Sequence, residues 1–175
     1  IADKYPSLIG YISPTHVGRT RQLFAQAIQF ALKGGMIDIS TGGTKYCEPY
    51  ETVLEALEAG VSIEKMTFSS DGNAGVRRID PETGIDTYKI APLHLNLQQV
   101  IKLIQLGNVP VEDAFKLLTS NPARNMKLKG KGRISKGFDA DLCFFQNDFT
   151  LDQVIARGKI FMQNGVVVRK GNFES

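Results

Sequence analysis

Short apolar runs alternate with longer amphipathic segments along the first two thirds of the chain. The apolar runs SLIGYIS (7–13), MIDI (36–39) and KMTFS (65–69) are short and bounded by Pro, Gly or polar residues, which is typical of buried β-strands. Each run is followed by a segment of helical periodicity: residues 21–32, 49–59 and 93–106. Three successive βα units predict an α/β fold with a parallel sheet and right-handed crossovers.

The pattern changes after Gly130 to short extended runs. Before it, residues 111–118 predict a short helix and residues 122–125 a further helical turn. Beyond it, strands are predicted over residues 132–134, 141–145, 154–156, 159–163 and 166–169. The dipeptide Asn164-Gly165 separates the last two runs and favours a type I′ hairpin turn. The chain is therefore predicted to divide into residues 1–128, which form the α/β part, and residues 129–175, which contribute β-strands.

Composition and charge narrow the class of protein. The 175 residues are 42% hydrophobic and 22% charged, within the normal range for a globular domain. There is neither an 18-residue apolar run nor a secretory leader, so we expect a cytoplasmic protein without a membrane partner. The net charge of +3 is spread along the chain, and the basic stretch KLKGKGR (127–133) lacks aromatic residues, which argues against nucleic-acid binding.

The two cysteines offer no metal site of their own. Cys47 and Cys143 are far apart in sequence and neither belongs to a CxxC or Cys/His pattern. Both are expected to be reduced, and the apolar context of Cys143 in DLCFF predicts a core position.

Polar residues follow each of the three predicted strands. Because the carboxyl ends of parallel strands lie at one edge of a sheet, these residues should face one site. They are His16 and Arg19 after the first strand, Ser40 and Thr41 after the second, and Ser70, Asp71 and Asn73 after the third. An imidazole and a carboxylate form a mixed ligand set that suits zinc, and an arginine suits a substrate carboxylate. Taken singly, each of these residues could equally be a turn or surface residue.

Four motifs together resemble the C-terminal part of the isoaspartyl (β-aspartyl) dipeptidases of the amidohydrolase superfamily. They are PTHVGR (14–19), SSDGN (69–73), GRISKGFDADL (132–142) and the terminal GNFE (171–174). The third is general to many amidohydrolases, and the other three are more specific. The resemblance implies the last three βα units of a (β/α)8 TIM-like barrel, with strands of a small β-sandwich. It also implies two zinc ions in the complete enzyme.

The same resemblance implies roles for individual residues. His16 matches a zinc ligand, and Asp71 matches an aspartate that is both a zinc ligand and the catalytic proton shuttle. Arg19 matches the arginine that binds the substrate's α-carboxylate. Gly75 occupies a substrate-binding position where many members carry serine. The implied activity is that of a metal-dependent peptidase in which a metal-activated hydroxide hydrolyses the β-aspartyl bond of dipeptides.

Several of the family's metal ligands have no equivalent in this chain. The His-x-His pair of strand one, the carbamylated lysine and the strand-five histidine would all precede Ile1. We therefore expect a fragment that is inactive alone, whose partners are the N-terminal part of the enzyme, a dipeptide substrate and further copies in a homo-oligomer. The alternatives are another amidohydrolase, acting on a cyclic amide or an N-acyl amino acid, and a noncatalytic assembly domain.

Overall fold

The computed structural model describes residues 3–42, 46–72 and 74–171, which fall into two compact units. The first unit is Ile1–Asn125 and the second is Met126–Ser175. Asn73, one of the predicted rim residues, and positions 172–174 of the terminal GNFE motif lie outside the described residues.

The first unit contains five α-helices and four β-strands among its described residues. The helices are α1 (Arg21–Leu32), α2 (Pro49–Glu58), α3 (Leu95–Gln105), α4 (Val111–Lys116) and α5 (Ser120–Asn125). The strands are β1 (Ile37–Ser40), β2 (Met66–Ser69), β3 (Gly75–Ile79) and β4 (Asp86–Ile90). Short 3₁₀ helices cover Pro6–Tyr11, Val17–Arg19 and Ile63–Lys65. No helix among the described residues is long and apolar enough to cross a lipid bilayer.

A parallel pair of strands forms the centre of this unit. β1 and β2 run side by side, with Ile37 opposite Met66 and Ser40 opposite Ser69. Side chains on one face of the pair pack against α1, α2 and α3; the fully buried members of this core include Ile37, Ile39, Met66, Phe24, Val53 and Leu103. Because side chains alternate along a strand, Asp38 lies on the face opposite Ile37 and Ile39. The predicted βα arrangement is therefore present for β1 and β2.

The prediction of a first strand over residues 7–13 is wrong. Residues Pro6–Tyr11 form a 3₁₀ helix with no buried residue, and the Tyr11 side chain is 74% exposed. Pro6 has the fixed φ that suits the first turn of a helix. An apolar run becomes a buried strand only where neighbours cover both of its faces, and here the segment meets β1 through one backbone hydrogen bond, from Asp38 N to the Pro14 carbonyl at 2.9 Å.

The segment predicted to be a polar loop over residues 71–91 contains an antiparallel hairpin. β3 pairs with β4, with Gly75 opposite Ile90 and Ile79 opposite Asp86. The Asp80 carboxylate accepts hydrogen bonds from the backbone N–H groups of Glu82 and Thr83 at 2.9 and 2.8 Å, which closes the turn between the strands. The hairpin is missed because Gly and charged residues interrupt its apolar alternation.

The second unit is a four-stranded antiparallel sheet. Its strands are β5 (Leu142–Phe145), β6 (Leu151–Ala156), β7 (Lys159–Gln163) and β8 (Val166–Val167), paired in that order. Both residues of the β7–β8 turn have positive φ, 51° at Asn164 and 72° at Gly165, as the hairpin prediction requires. Cys143 is exposed on β5, so its predicted core position is wrong.

The predicted strand over residues 132–134 is also absent, because this segment forms a turn. The flanking Gly130 and Gly132 have φ of 73° and 82°. The Lys131 ammonium lies 2.7 Å from the Asp139 carboxylate and also contacts the Asp141 carboxylate, and this hydrogen bond holds the pKa of Asp141 below its usual value. The basic stretch is thus tied into the fold of this unit.

Asn121 in α5 connects that helix to the start of β2. Its side chain is fully buried, and Nδ2 donates to the carbonyls of Ile63 and Met66, both at 2.8 Å. Its Oδ1 accepts a hydrogen bond from Arg124 at 3.1 Å. The asparagine therefore satisfies two backbone carbonyls at a buried position.

Replacing Asn121 with aspartate should destabilise the protein by about 2 kcal/mol or more. Aspartate has the same shape but presents a carboxylate oxygen to a carbonyl that needs a donor, which leaves buried polar groups unsatisfied. The measurement is the free energy of unfolding in urea for the full-length protein. Asn125→Asp is the matched control, because the Asn125 amide donates to the Ser13 hydroxyl at an exposed position. Equal effects of the two substitutions would contradict the prediction.

Candidate active site

The loop that carries His16 is anchored to the parallel strands. Pro14 accepts the hydrogen bond from Asp38 N, and Val17 is 1% exposed within the core. His16 lies between these two anchors in the left-handed conformation, with φ 59° and ψ 28°. These two contacts fix the backbone position of His16, and the residue is half-buried.

Asp71 follows β2 in a similarly constrained turn. It too has a left-handed backbone, with φ 52°. The Ser70 hydroxyl accepts a hydrogen bond from Gly72 N at 3.1 Å. A Cβ at Gly72 would lie 2.1 Å from the end of the Leu93 side chain, so a larger residue next to Asp71 would require Leu93 to move.

The structure brings His16 and Asp71 together, although they are 55 residues apart in sequence. His16 Nε2 lies 3.1 Å from Asp71 Oδ2. Both residues have the left-handed backbone that non-glycine residues adopt at a cost of about 1–3 kcal/mol each. Two strained residues whose side chains meet at the ends of neighbouring elements indicate a functional site.

The pair has the chemistry of a metal site but only part of a ligand set. An imidazole nitrogen and a carboxylate oxygen are both common zinc ligands, and their separation allows one ion or two neighbouring ions to bind them. Within the described ranges, no group of three or more His, Cys, Asp or Glu residues could hold a metal ion. The two donors are of the kinds that zinc binds, and they would fill only part of its coordination shell.

The other predicted site residues lie at the same edge or beyond it. Arg19 ends the 3₁₀ helix after His16, is exposed, and forms no ion pair with a carboxylate of the described residues. Ser40 and Thr41 are buried at the end of β1, where the Thr41 hydroxyl donates to Asn96 Oδ1 at 2.7 Å. Gly75 is exposed at the start of β3, and a Cβ there would lie 3.5 Å from the Tyr88 ring.

Sequence reasoning missed Asp38, which lies at the centre of a hydroxyl cluster. Its Oδ2 accepts hydrogen bonds from Thr15 and Ser69, both at 2.6 Å, and its Oδ1 accepts one from Thr67 at 2.7 Å. The Thr15 hydroxyl also lies 3.0 Å from His16 Nδ1. The available signal was a carboxylate inside the apolar run MIDI, because a charged residue in a buried strand needs partners.

Comparison with known proteins gives relatives of several activities. The chain is 33% identical to the β-aspartyl dipeptidase of Fervidobacterium islandicum AW-1, solved in complex with the β-Asp-Leu dipeptide, with a TM-score of 0.80 over 95% of this chain and 43% of that one. It is 28% identical to an adenine deaminase of Methanothrix thermoacetophila over 74% of this chain and 24% of the deaminase. It is 33% identical to an N-acetylglucosamine-6-phosphate deacetylase of Lysinibacillus sphaericus over 38% of this chain and 17% of the deacetylase.

The chain spans less than half the length of each of these relatives. The structural similarity to the dipeptidase confirms the predicted TIM-barrel-type α/β fold, of which these residues form a part. Residues 25–161, most of the chain, match the amidohydrolase family. The chain therefore belongs to the amidohydrolase family of hydrolases.

Proposed function

We propose that this chain is part of a zinc-dependent isoaspartyl dipeptidase, which hydrolyses the β-aspartyl bond of dipeptides. The observation that carries the proposal is the His16–Asp71 pair at 3.1 Å, with Arg19 three residues after the histidine. The 33% identity to a β-aspartyl dipeptidase supports the same assignment.

His16 and Asp71 would hold the metal, and other residues of the complete enzyme would supply the remaining ligands. When bound, zinc acts as a Lewis acid that acidifies water and polarises a carbonyl group. His16 would serve as a metal ligand through Nε2, which lies 3.1 Å from Asp71 Oδ2.

Asp71 is the proposed proton carrier. A carboxylate at this position can accept a proton from the attacking water and donate it to the amine that leaves when the amide bond breaks. The left-handed backbone of Asp71 and the 3.1 Å contact of its carboxylate with His16 orient the carboxylate for both transfers. The same group therefore serves as general base and then as general acid.

Arg19 is the proposed binding group for the substrate's α-carboxylate. Its guanidinium has no carboxylate partner within the described part of the chain, so it is available to a ligand. A guanidinium can bind a carboxylate through two parallel hydrogen bonds, which fixes orientation as well as position. This contact would favour dipeptides with a free C-terminal carboxylate.

Arg19 would also suit a second candidate activity, the deacylation of an N-acyl amino acid. An N-acyl amino acid has a free carboxylate next to its amide bond, so a deacetylase could use the same arginine. Gly75 adds to this alternative, because it lacks the serine hydroxyl that many dipeptidases of this kind present at the position.

We further propose that the rest of the enzyme packs against α1, and that the complete protein is a cytoplasmic homo-oligomer. A groove of about 750 Å³ runs along α1, and its apolar lining includes Ile12, Pro14, Val17, Leu23, Ala27 and Phe30. An apolar groove of this size on part of a barrel supports the proposal that N-terminal elements of the enzyme pack over it.

The test is a substrate comparison with the full-length protein. We expect kcat/KM for β-Asp-Leu to exceed that for α-Asp-Leu and for N-acetyl-leucine by at least about tenfold. The leucine carboxylate lies at the same spacing from the amide in all three, but only β-Asp-Leu carries a free α-amine and α-carboxylate one methylene away from the scissile carbonyl. Faster hydrolysis of N-acetyl-leucine would favour the deacetylase. Hydrolysis of none of these, with zinc bound, would overturn the dipeptidase proposal.

A further inference from the structure

The hydroxyl cluster around Asp38 determines which nitrogen of His16 carries a proton. The Asp38 carboxylate can only accept hydrogen bonds, so the Thr15 hydroxyl must donate its single proton across the 2.6 Å contact to Oδ2. No hydroxyl proton is then left for the 3.0 Å contact between Thr15 Oγ1 and His16 Nδ1. The donor in that contact must be the Nδ1–H group of the imidazole.

In the neutral imidazole, this proton assignment leaves a lone pair on His16 Nε2. That lone pair points towards Asp71 Oδ2 at 3.1 Å, which is also an acceptor when the carboxylate is ionised. Two acceptors at this distance repel each other unless a cation or proton lies between them. The chain of contacts from Asp38 through Thr15 thus prepares Nε2 to bind a metal.

We infer that Asp38 and Thr15 are positioning residues that hold His16 in the Nδ1–H tautomer and so present Nε2 as a zinc ligand. Zinc-binding histidines generally donate their other ring N–H to a carboxylate, carbonyl or water, and here a hydroxyl relays the carboxylate's effect. The inference rests on the proposed function, since it takes His16 as a metal ligand.

Other contacts of Asp38 keep its carboxylate in place to accept the hydrogen bond from the Thr15 hydroxyl. Thr67 and Ser69 in β2 also donate hydrogen bonds to the Asp38 carboxylate, and Thr67 is 4% exposed. No lysine or arginine of the described residues forms an ion pair with Asp38, so hydroxyl groups alone fix its carboxylate. The backbone bond from Asp38 N to Pro14 holds the strand and the Thr15 loop in register.

The test compares Thr15→Val with Thr15→Ser in the full-length protein. Valine keeps the shape but removes the hydroxyl, whereas serine keeps the hydroxyl; Thr15 is exposed, so neither change should unfold the chain. We expect Thr15→Val to weaken zinc affinity, measured by chelator competition, by about 10- to 100-fold. Thr15→Ser should stay within about threefold of the parent protein.

Thr67→Val is the matched control, because it removes a hydroxyl from the same carboxylate without touching His16. A loss of zinc affinity in Thr67→Val equal to that in Thr15→Val would mean that general loosening, not the relay, is responsible. That result would overturn the inference.

A spectroscopic readout separates positioning from a structural effect. In ¹⁵N-labelled, zinc-loaded protein, the His16 Nδ1–H proton should give a slowly exchanging imidazole signal, retained in Thr15→Ser and lost in Thr15→Val. A neutral His16 imidazole with its single proton on Nε2 in the metal-free parent protein would overturn the inference.

The relay and the proposed function can fail separately. Zinc affinity and the imidazole signal do not depend on the substrate, so a protein that shows both but does not cleave β-Asp-Leu would overturn the dipeptidase activity alone. Unchanged zinc affinity in Thr15→Val, beside intact β-Asp-Leu hydrolysis in the parent protein, would overturn the relay alone.

Discussion

Replacing Arg19 with alanine in the full-length protein is expected to lower kcat/KM for β-Asp-Leu by at least about 30-fold. Removing one partner of a charge-assisted carboxylate pair costs about 2 kcal/mol or more when the other charge remains in the site. Zinc content should not change, because Arg19 is not a ligand. The measurement is steady-state turnover beside metal analysis of the same preparation.

The decisive comparison uses β-Asp-Leu and the same dipeptide with its C-terminal carboxylate amidated. Amidation should lower kcat/KM of the parent enzyme by about the same 30-fold, but that of Arg19→Ala by less than about threefold, because the variant has already lost the contact. Arg21→Ala is the matched control: Arg21 lies two residues away, with its guanidinium 5.1 Å from the Tyr46 ring centre. Equal losses on amidation in the parent and in Arg19→Ala would show that Arg19 does not bind this carboxylate.

The amphipathic helices of the fold could be predicted from sequence almost to the residue. The helix predicted over 21–32 is Arg21–Leu32, and that predicted over 49–59 is Pro49–Glu58. Their periodicity reflects a single buried face, which is a local property of the sequence. Strands could be predicted less accurately, and the apolar run at 7–13 is a 3₁₀ helix. Whether such a run pairs as a strand depends on neighbouring segments that its own sequence does not encode.

The site could be predicted only in part, because its contacts also depend on how distant segments of the chain meet. The βα pattern predicted that His16 and Asp71 face one site, and the structure puts them in contact, although the strand predicted before His16 is absent. The Asp38 cluster was not predicted, because its three hydroxyl donors come from two segments distant from it in sequence, the Thr15 loop and β2. A hydrogen-bond network across strands depends on their register, here Asp38 opposite Thr67, which a single sequence does not specify.

Replacing His16 or Asp71 with alanine should lower zinc occupancy of the full-length protein as well as its turnover. Each substitution removes one donor atom from the ligand set, and the two donors are 3.1 Å apart, so neither can replace the other without movement. Asp71→Ala also removes the proposed proton carrier, and general acid–base catalysis typically contributes about 10²- to 10⁴-fold. We therefore expect the larger loss of kcat for Asp71→Ala when both variants are assayed at saturating zinc.

His94→Ala is the matched control for these two variants. His94 is the other histidine of the chain, and it lies exposed just before α3. Its substitution should change neither zinc content nor turnover by more than about twofold, because surface changes away from a site have small effects. Full zinc occupancy in both His16→Ala and Asp71→Ala would contradict their assignment as ligands. Full occupancy in Asp71→Ala alone, with kcat still reduced at least about 100-fold, would restrict Asp71 to proton transfer and leave His16 as the metal ligand of this edge.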